Sequence, residues 1–105
     1  MKLVIVESPY AGNVSENVKY ARECVRHSLS LGEAPIASHL LYTQDGILDD
    51  DIKSERDWGI DAGLAWRVVA DYTAVYTDLG ISMGMEYGIK AAKASGKDVE
   101  YRSIR

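Results

Sequence analysis

The stretch SMGMEYGIKAA, residues 82 to 92, places Glu86 between two glycines where a helix is predicted to begin. A glycine inside a helix costs about 1 kcal/mol relative to alanine, so Gly84 and Gly88 indicate a close approach to the backbone. One interpretation is that the glycines only let this helix pack closely against a sheet. The other is that the free amides of residues 82 to 85 bind an anion or a hydroxyl group of a ligand.

Two common kinds of site are absent from the sequence. The stretch VIVESPYAG lacks the Gly-x-Gly-x-x-Gly pattern of a dinucleotide site, and no phosphate-binding loop with Lys-Ser or Lys-Thr occurs. The two histidines, His27 and His39, lie on different predicted elements and no cysteine joins them, so we expect no metal site. We therefore predict no cofactor.

Four strand-like segments alternate with three helical ones along the chain. The predicted strands are residues 2–7, 34–38, 72–77 and 98–104, and the predicted helices are residues 14–31, 52–70 and 82–95, with an irregular segment at 39–51. This alternation is typical of right-handed crossovers in a parallel sheet. We predict one domain over residues 1–105, an α/β, Rossmann-like or flavodoxin-like three-layer sandwich with strand order 2-1-3-4.

Polar residues follow three of the predicted strands. They are Glu7 to Tyr10 after the first strand, Ser38 and His39 after the second, and Thr77 and Asp78 after the third. Ligands of such folds bind beyond the carboxyl ends of the strands, so we expect the site at this edge.

The composition narrows the class of partner. The chain has 105 residues and a net charge of −4, which argues against a nucleic-acid groove or an anionic membrane surface but allows a small nucleotide. The single Cys24 cannot form an internal disulfide, which fits a reducing compartment. The apolar run at the start is too short for a signal peptide or a membrane span. We therefore predict a cytoplasmic protein.

Five residues occur in an order, and at places along the predicted elements, that match a known family. Tyr10 follows the first strand in ESPYAG, His39 follows the second in IASHL, Asp61 and Asp71 precede the third, and Glu86 lies in GMEYG. In this order and placement the chain resembles the nucleoside 2-deoxyribosyltransferase-like family. That family includes 2′-deoxynucleoside 5′-phosphate N-hydrolases and related small Rossmann-like nucleotide-binding domains.

The resemblance implies that the chain binds a nucleoside or nucleotide and cleaves or transfers at its N-glycosidic bond. Glu86 would stabilise or attack the cationic sugar carbon, Asp61 or Asp71 would orient sugar hydroxyls or protonate the leaving base, and Tyr10 would hold the nucleophile or stack on the ligand. The expected ligand contacts are Ser8, Pro9, Gly12, Asn13, His39, Asp78, Gly80, Ser82, Gly84 and Met85.

Two departures from the family pattern leave an alternative open. The spacing from Asp61 to Asp71 is longer by about half a helical turn, so Asp57 could take the place of Asp61. Some relatives lack a glutamate in the catalytic position, and Glu86 could be displaced here too. The alternative is then a non-catalytic protein that binds or sequesters a nucleotide or an ADP-ribose-type signalling molecule. We favour the enzyme because Glu86, Tyr10 and an upstream aspartate coexist.

The aromatic content predicts self-association. The chain has seven tyrosines and two tryptophans, and Trp58 and Trp66 lie on one predicted helix. We expect a homodimer or a higher homo-oligomer, and the resemblance implies that neighbouring subunits help to close each pocket.

Overall fold

A parallel sheet with helices on both faces is the frame of the molecule. The computed structural model describes all residues, Met1–Arg105. The strands are β1 (Leu3–Glu7), β2 (Ala34–Ile36), β3 (Tyr72–Tyr76) and β4 (Asp98–Arg102). The helices are α1 (Val14–Ser30), α2 (Ser38–Leu41), α3 (Lys53–Ala65) and α4 (Met83–Ala94), and a 3₁₀ turn, Trp66–Val68, follows α3.

The strand order confirms the prediction from the sequence. The sheet has the order β2-β1-β3-β4, and every neighbouring pair is parallel. The central β1 places Ile5 beside Ile36 on one side and beside Thr73 on the other. Because all four strands run the same way, their carboxyl ends meet at one edge. The fold is a Rossmann-like or flavodoxin-like α/β sandwich.

Apolar side chains form one cluster on each face of the sheet, because successive side chains along a strand point to opposite faces. The cluster on the α1 face consists of Val4, Val6, Tyr20, Cys24, Ala37, Ala74 and Tyr76. The cluster on the α4 face consists of Val75, Met85 and Ile89, with Val99 packed against it. Glu7 differs from Val4 and Val6 in this alternation, and its side chain contacts Gly88 of α4.

The segment predicted as irregular contains a helix. Residues 38 to 41 form α2, which packs on α3, and a Cβ at Gly63 of α3 would lie only 2.5 Å from Ser38 Oγ. A helix of one turn has no periodicity to detect, so the sequence pattern missed it. The helix predicted over 52–70 is also shorter, since α3 ends at Ala65 and a 3₁₀ turn leads to β3. None of the helices is both long and apolar enough to span a membrane.

Candidate functional site

A cavity of about 290 Å³ opens at the carboxyl edge of the sheet. The segment after β1, helices α2 and α3, and the first turns of α4 contribute its walls. This volume lies at the lower end of the range for small-molecule sites, roughly 300 to 1,000 Å³. The location is the one where open parallel sheets bind ligands.

The carboxyl group of Glu7 lies against the backbone of α4 at Gly88. A Cβ at position 88 would lie 2.6 Å from Glu7 Oε2 and 2.7 Å from its Cδ and Oε1. A real Cβ atom essentially never comes so close to another atom, so any side chain at position 88 would force the Glu7 carboxyl group to move. The last residue of β1 therefore carries a carboxyl group to the second turn of α4.

Arg67 is the cation beside this carboxyl group. Its Nη2 donates to the carbonyl oxygen of Gly88 at 3.1 Å and to Glu7 Oε1 at 3.4 Å. Burial raises the pKa of the Glu7 carboxyl to about 7, although the charge and hydrogen bond of Arg67 act to lower it. Desolvation therefore has a larger effect on the pKa of Glu7 than the long ion pair with Arg67 has, and Glu7 titrates near neutral pH.

A serine and a histidine form a second polar pair in the cavity. Ser8 Oγ and His39 Nε2 lie 2.6 Å apart, and both residues line the cavity. Burial lowers the pKa of His39 to about 4, so the imidazole is neutral at pH 7. Ser8 is buried, and its hydroxyl proton has no other acceptor in the protein. We therefore assign the proton of the ring to Nδ1, with Nε2 accepting from Ser8.

The start of α4 contributes the remaining wall. Ser82 is the N-cap: its hydroxyl accepts from the Met85 amide at 3.3 Å, and its own amide donates to Met85 Sδ at 3.4 Å. Met85 is buried and points inward, whereas a Cβ at Gly84 would have no atom within 4 Å. The glycine that a close approach requires is therefore Gly88 and not Gly84.

Six of the residues predicted from the sequence come together around the cavity. They are Tyr10, Ser8, His39, Ser82, Gly84 and Met85. They lie on three separate segments, so the topology brings them together as expected from the ends of the strands.

The three predicted catalytic carboxylates, and the alternative Asp57, lie outside the cavity lining. Glu86 is exposed, because its neighbour Met85 takes the inward position of the first turn of α4. Asp61 is exposed on α3, and Asp57 pairs with Lys53 at 2.7 Å. Asp71 precedes β3 and accepts from the Leu3 amide at 2.7 Å, so it lies at the opposite edge of the sheet.

Asp78 binds the end of the chain rather than the cavity. Its carboxylate accepts from the Tyr20 hydroxyl at 2.6 Å, from Ser103 Oγ at 2.7 Å and from the amides of Ile104 and Arg105. The hydrogen bond from Tyr20 holds the pKa of Asp78 far below its usual range. These partners leave little capacity for a ligand.

Four further predicted contacts lie away from the cavity lining. Asn13 caps α1 by accepting from the Glu16 amide at 3.3 Å, and Pro9 is buried. Gly12 lines a neighbouring depression beside the 43–51 segment. Gly80 forms a turn, with a φ of 84°.

Sequence reasoning placed Glu7 at the edge of the sheet where the site was expected, but it selected neither Glu7 nor Arg67 as a site residue. A glutamate that ends a strand reads as an ordinary boundary, and an arginine near the end of a helix reads as surface. The available signal was the unexplained Gly88, but it lies 81 positions from Glu7, a separation that local patterns do not connect. No group of three or more His, Cys, Asp or Glu side chains is arranged to hold a metal ion.

Three comparisons place the chain among known proteins. A search of curated proteins found no match. Among solved structures, the chain is similar to a 2-deoxyribosyltransferase from the psychrotolerant bacterium Bacillus psychrosaccharolyticus. The TM-score is 0.67 at 19% sequence identity, and the match covers 96% of this chain and 72% of that one. This likeness shows the shared fold. A family model described as a domain of unknown function, DUF7768, matches residues 2–102, and the chain therefore belongs to that family.

Proposed function

We propose that this chain binds a nucleoside or nucleotide in the cavity and cleaves or transfers at its N-glycosidic bond, with Glu7 as the acting carboxyl group. The observation that carries this proposal is the buried carboxyl group beside Gly88, with a pKa of about 7. A group whose pKa lies near the working pH is the most effective general acid or base. A buried carboxyl group with a shifted pKa in a cleft is also a typical mark of a functional site.

The chemistry assigns Glu7 the role of general acid. Cleavage breaks the bond between the sugar carbon and the base nitrogen, and the electron pair leaves with the base. The neutral Glu7 carboxyl gives its proton to the departing base. Water or a nitrogen of a second base then attacks the sugar carbon, and the Glu7 carboxylate takes up the proton that the attacking group loses. Asp50 and Glu55, which also line the cavity, are the carboxylates available to hold sugar hydroxyls.

Tyr10 and His39 have positioning roles in this proposal. Tyr10 offers an aromatic face and a hydroxyl after β1, suited to stacking on a base. His39, held by Ser8, offers a neutral ring, so it adds no charge beside the leaving base. The similar structure is described as a 2-deoxyribosyltransferase suited to nucleoside synthesis. Its fold likeness supports this class of ligand by analogy.

A specific observation favours a second candidate, a protein that binds a nucleotide or an ADP-ribose-type signalling molecule without turnover. Glu86, the carboxylate that the family resemblance selected, lies outside the cavity lining, and Asp61 is exposed. If Glu7 serves only to hold Arg67 in place, the cavity binds a ligand and leaves it intact.

A screen with product analysis separates the two candidates. Nucleosides, their 5′-monophosphates and ADP-ribose are tested for a rise in the melting temperature, and each hit is incubated with the protein and analysed for free base by chromatography. Release of base supports the enzyme, and stabilisation by an intact ligand supports the binding protein. The absence of any stabilising ligand and of any released base would contradict both.

We also propose that the chain self-associates through α3 and the turn that follows it. Trp58 is 67% exposed and Val68 is 81% exposed, and Trp66 and Val69 are exposed beside them. Apolar surface of this kind is typical of interfaces. Light scattering at micromolar concentration tests the proposal, and a monomer would contradict it.

A further inference from the structure

Arg67 is a buried cation with few partners inside the protein. Its side chain is only 7% exposed, and it lines the cavity. Both of its hydrogen bonds come from one nitrogen, Nη2, which donates to Gly88 and to Glu7. A guanidinium has five N–H groups, so most of its donors are unused by the protein.

The two other nitrogens differ in their surroundings. Nε is enclosed and has no hydrogen-bond partner, the single buried side-chain atom in this state. Nη1 also makes no hydrogen bond within the protein, but it is not enclosed, and Arg67 is one of the residues that line the cavity. Leaving the enclosed Nε unpaired costs about 1–3 kcal/mol or more, because it belongs to a charged group, whereas the free donors of Nη1 can meet an acceptor from outside the protein.

The nearest carboxyl group does not balance the charge of Arg67. Glu7 Oε1 lies 3.4 Å from Nη2, longer than the usual 2.7–2.9 Å of a charge-assisted bond. Glu7 also exchanges its proton near neutral pH. Arg67 therefore has a positive charge that Glu7 neutralises only in part, in a lining that also contains Arg56, Asp50 and Glu55.

We propose that Arg67 binds an oxyanion carried by the ligand, a phosphate or a carboxylate, and that the natural ligand is therefore a nucleotide rather than a nucleoside. Arginine is a common partner of such groups, because its guanidinium stays charged and holds its N–H donors in a fixed plane; here Nη1 has two N–H groups free. The Gly88 carbonyl fixes the fork on one side, and Nη1 presents the free donors on the other. The nucleotide part of this inference rests on the proposed function, whereas the anion site can be tested by itself.

Isothermal titration of the full chain tests the site with defined probes. The probes are inorganic phosphate, acetate, and matched pairs of nucleosides and their 5′-monophosphates. The variants are Arg67→Met, which keeps the length of the side chain without donors, and Arg67→Lys, which keeps the charge without the fork. Arg22→Met removes an equal charge from the exposed surface of α1 and is the matched control.

We expect the wild-type chain and Arg22→Met to bind each monophosphate at least tenfold more tightly than its nucleoside. Arg67→Met should lose this advantage while its affinity for the nucleoside changes less than twofold, and Arg67→Lys should retain only part of it. If Arg67→Met does not fold, Arg67→Lys decides: an unchanged advantage overturns the proposal, and a loss of threefold or more supports it.

The inorganic probes separate this inference from the proposed function. Binding of phosphate or acetate that depends on Arg67, without binding of any nucleoside or nucleotide, would support the anion site and contradict the proposed function. Acetate binding without phosphate binding would identify a carboxylate as the source of the oxyanion and overturn the nucleotide assignment. Equal anion affinities in the wild-type chain and Arg67→Met, or no anion binding at all, would overturn the inference.

Discussion

The carboxyl group of Glu7 occupies the space that a side chain at position 88 would need. All three atoms of the group lie within 2.7 Å of the place where a Cβ at Gly88 would be. A residue of β1 and a residue of α4 thus share one volume at the carboxyl edge of the sheet.

Gly88→Ala should destabilise the fold by about 1–3 kcal/mol, because the new methyl group displaces a buried carboxyl group and the Arg67 contact with it. Gly84→Ala is the matched control on the same helix. Its Cβ would have open space within 4 Å, so the helix preference of alanine should stabilise the chain by up to about 1 kcal/mol. Urea denaturation measures both, and equal effects of the two changes would contradict the close approach.

Glu7→Gln should remove a pH dependence of stability. The pKa of Glu7 rises from 4.5 to about 7 on folding because the group is buried. Between these pH values the folded chain binds more protons than the unfolded chain, so the contribution of Glu7 to stability falls as the pH rises. The free energy of unfolding of Glu7→Gln minus that of the wild type should therefore increase by about 1–3 kcal/mol over this range.

The pH dependence that is due to Glu7 can be isolated only as the difference in the free energy of unfolding between the variant and the wild type, because His39 also titrates. Burial lowers the pKa of His39 from 6.5 to about 4, so the contribution of His39 to stability is lost as the pH falls through that window, opposite to Glu7. Glu86→Gln, at an exposed carboxylate outside the cavity lining, should run parallel to the wild type. A Glu7→Gln curve that also runs parallel would show that Glu7 is not a desolvated acid.

His39 should carry its proton on Nδ1 at neutral pH. The reason is that Ser8 Oγ lies 2.6 Å from Nε2 and its hydroxyl proton has no other acceptor in the protein. Nitrogen-15 NMR of the imidazole distinguishes the two tautomers, and Ser8→Ala should weaken the preference. A proton found on Nε2 in the wild-type chain would reverse the roles of donor and acceptor in this pair.

Asp78→Asn should loosen the last three residues from α1. The carboxylate accepts from Tyr20, Ser103 and the amides of Ile104 and Arg105, and an amide offers one acceptor oxygen in place of two. Hydrogen exchange should speed up at residues 104 and 105 while ligand affinity in the cavity is retained. Asp61→Asn, at an exposed position on α3, is the control. Loss of ligand affinity in Asp78→Asn would show that Asp78 belongs to the ligand site.

The fold could be predicted from the sequence because each of its layers has a local pattern. The apolar run of β1 and the helical spacing of α1 each read correctly by themselves, and the alternation of strands and helices then determines a parallel sheet. The rule for right-handed crossovers limits the strand orders that are possible, and the predicted order 2-1-3-4 is the observed one. The exception was α2, which is too short to show a period.

The carboxyl group in the cavity could not be predicted in the same way. A rotation of one residue along α4 decides whether Met85 or Glu86 faces inward, and the pattern GMEYG is compatible with both. The contact between Glu7 and Gly88 joins two segments that are far apart in the sequence, so no local pattern reveals it. The rule that ligands bind beyond the carboxyl ends of parallel strands predicted the correct edge of the sheet. Which side chains reach the cavity at that edge depends on the packing of Met85 and Gly88.

The rate of base release by Glu7→Gln and by Glu86→Gln tests the central claim most directly. The substrate is any nucleoside or nucleotide that the wild-type chain cleaves, and free base is measured by chromatography at pH 7 under single-turnover conditions. Since a positioned general acid contributes roughly 10²- to 10⁴-fold, Glu7→Gln should lose at least 100-fold of the rate and keep its ligand affinity. Glu86→Gln should remain within about threefold of the wild type. A wild-type rate in Glu7→Gln together with an inactive Glu86→Gln would contradict the assignment of Glu7 as the acting carboxyl group.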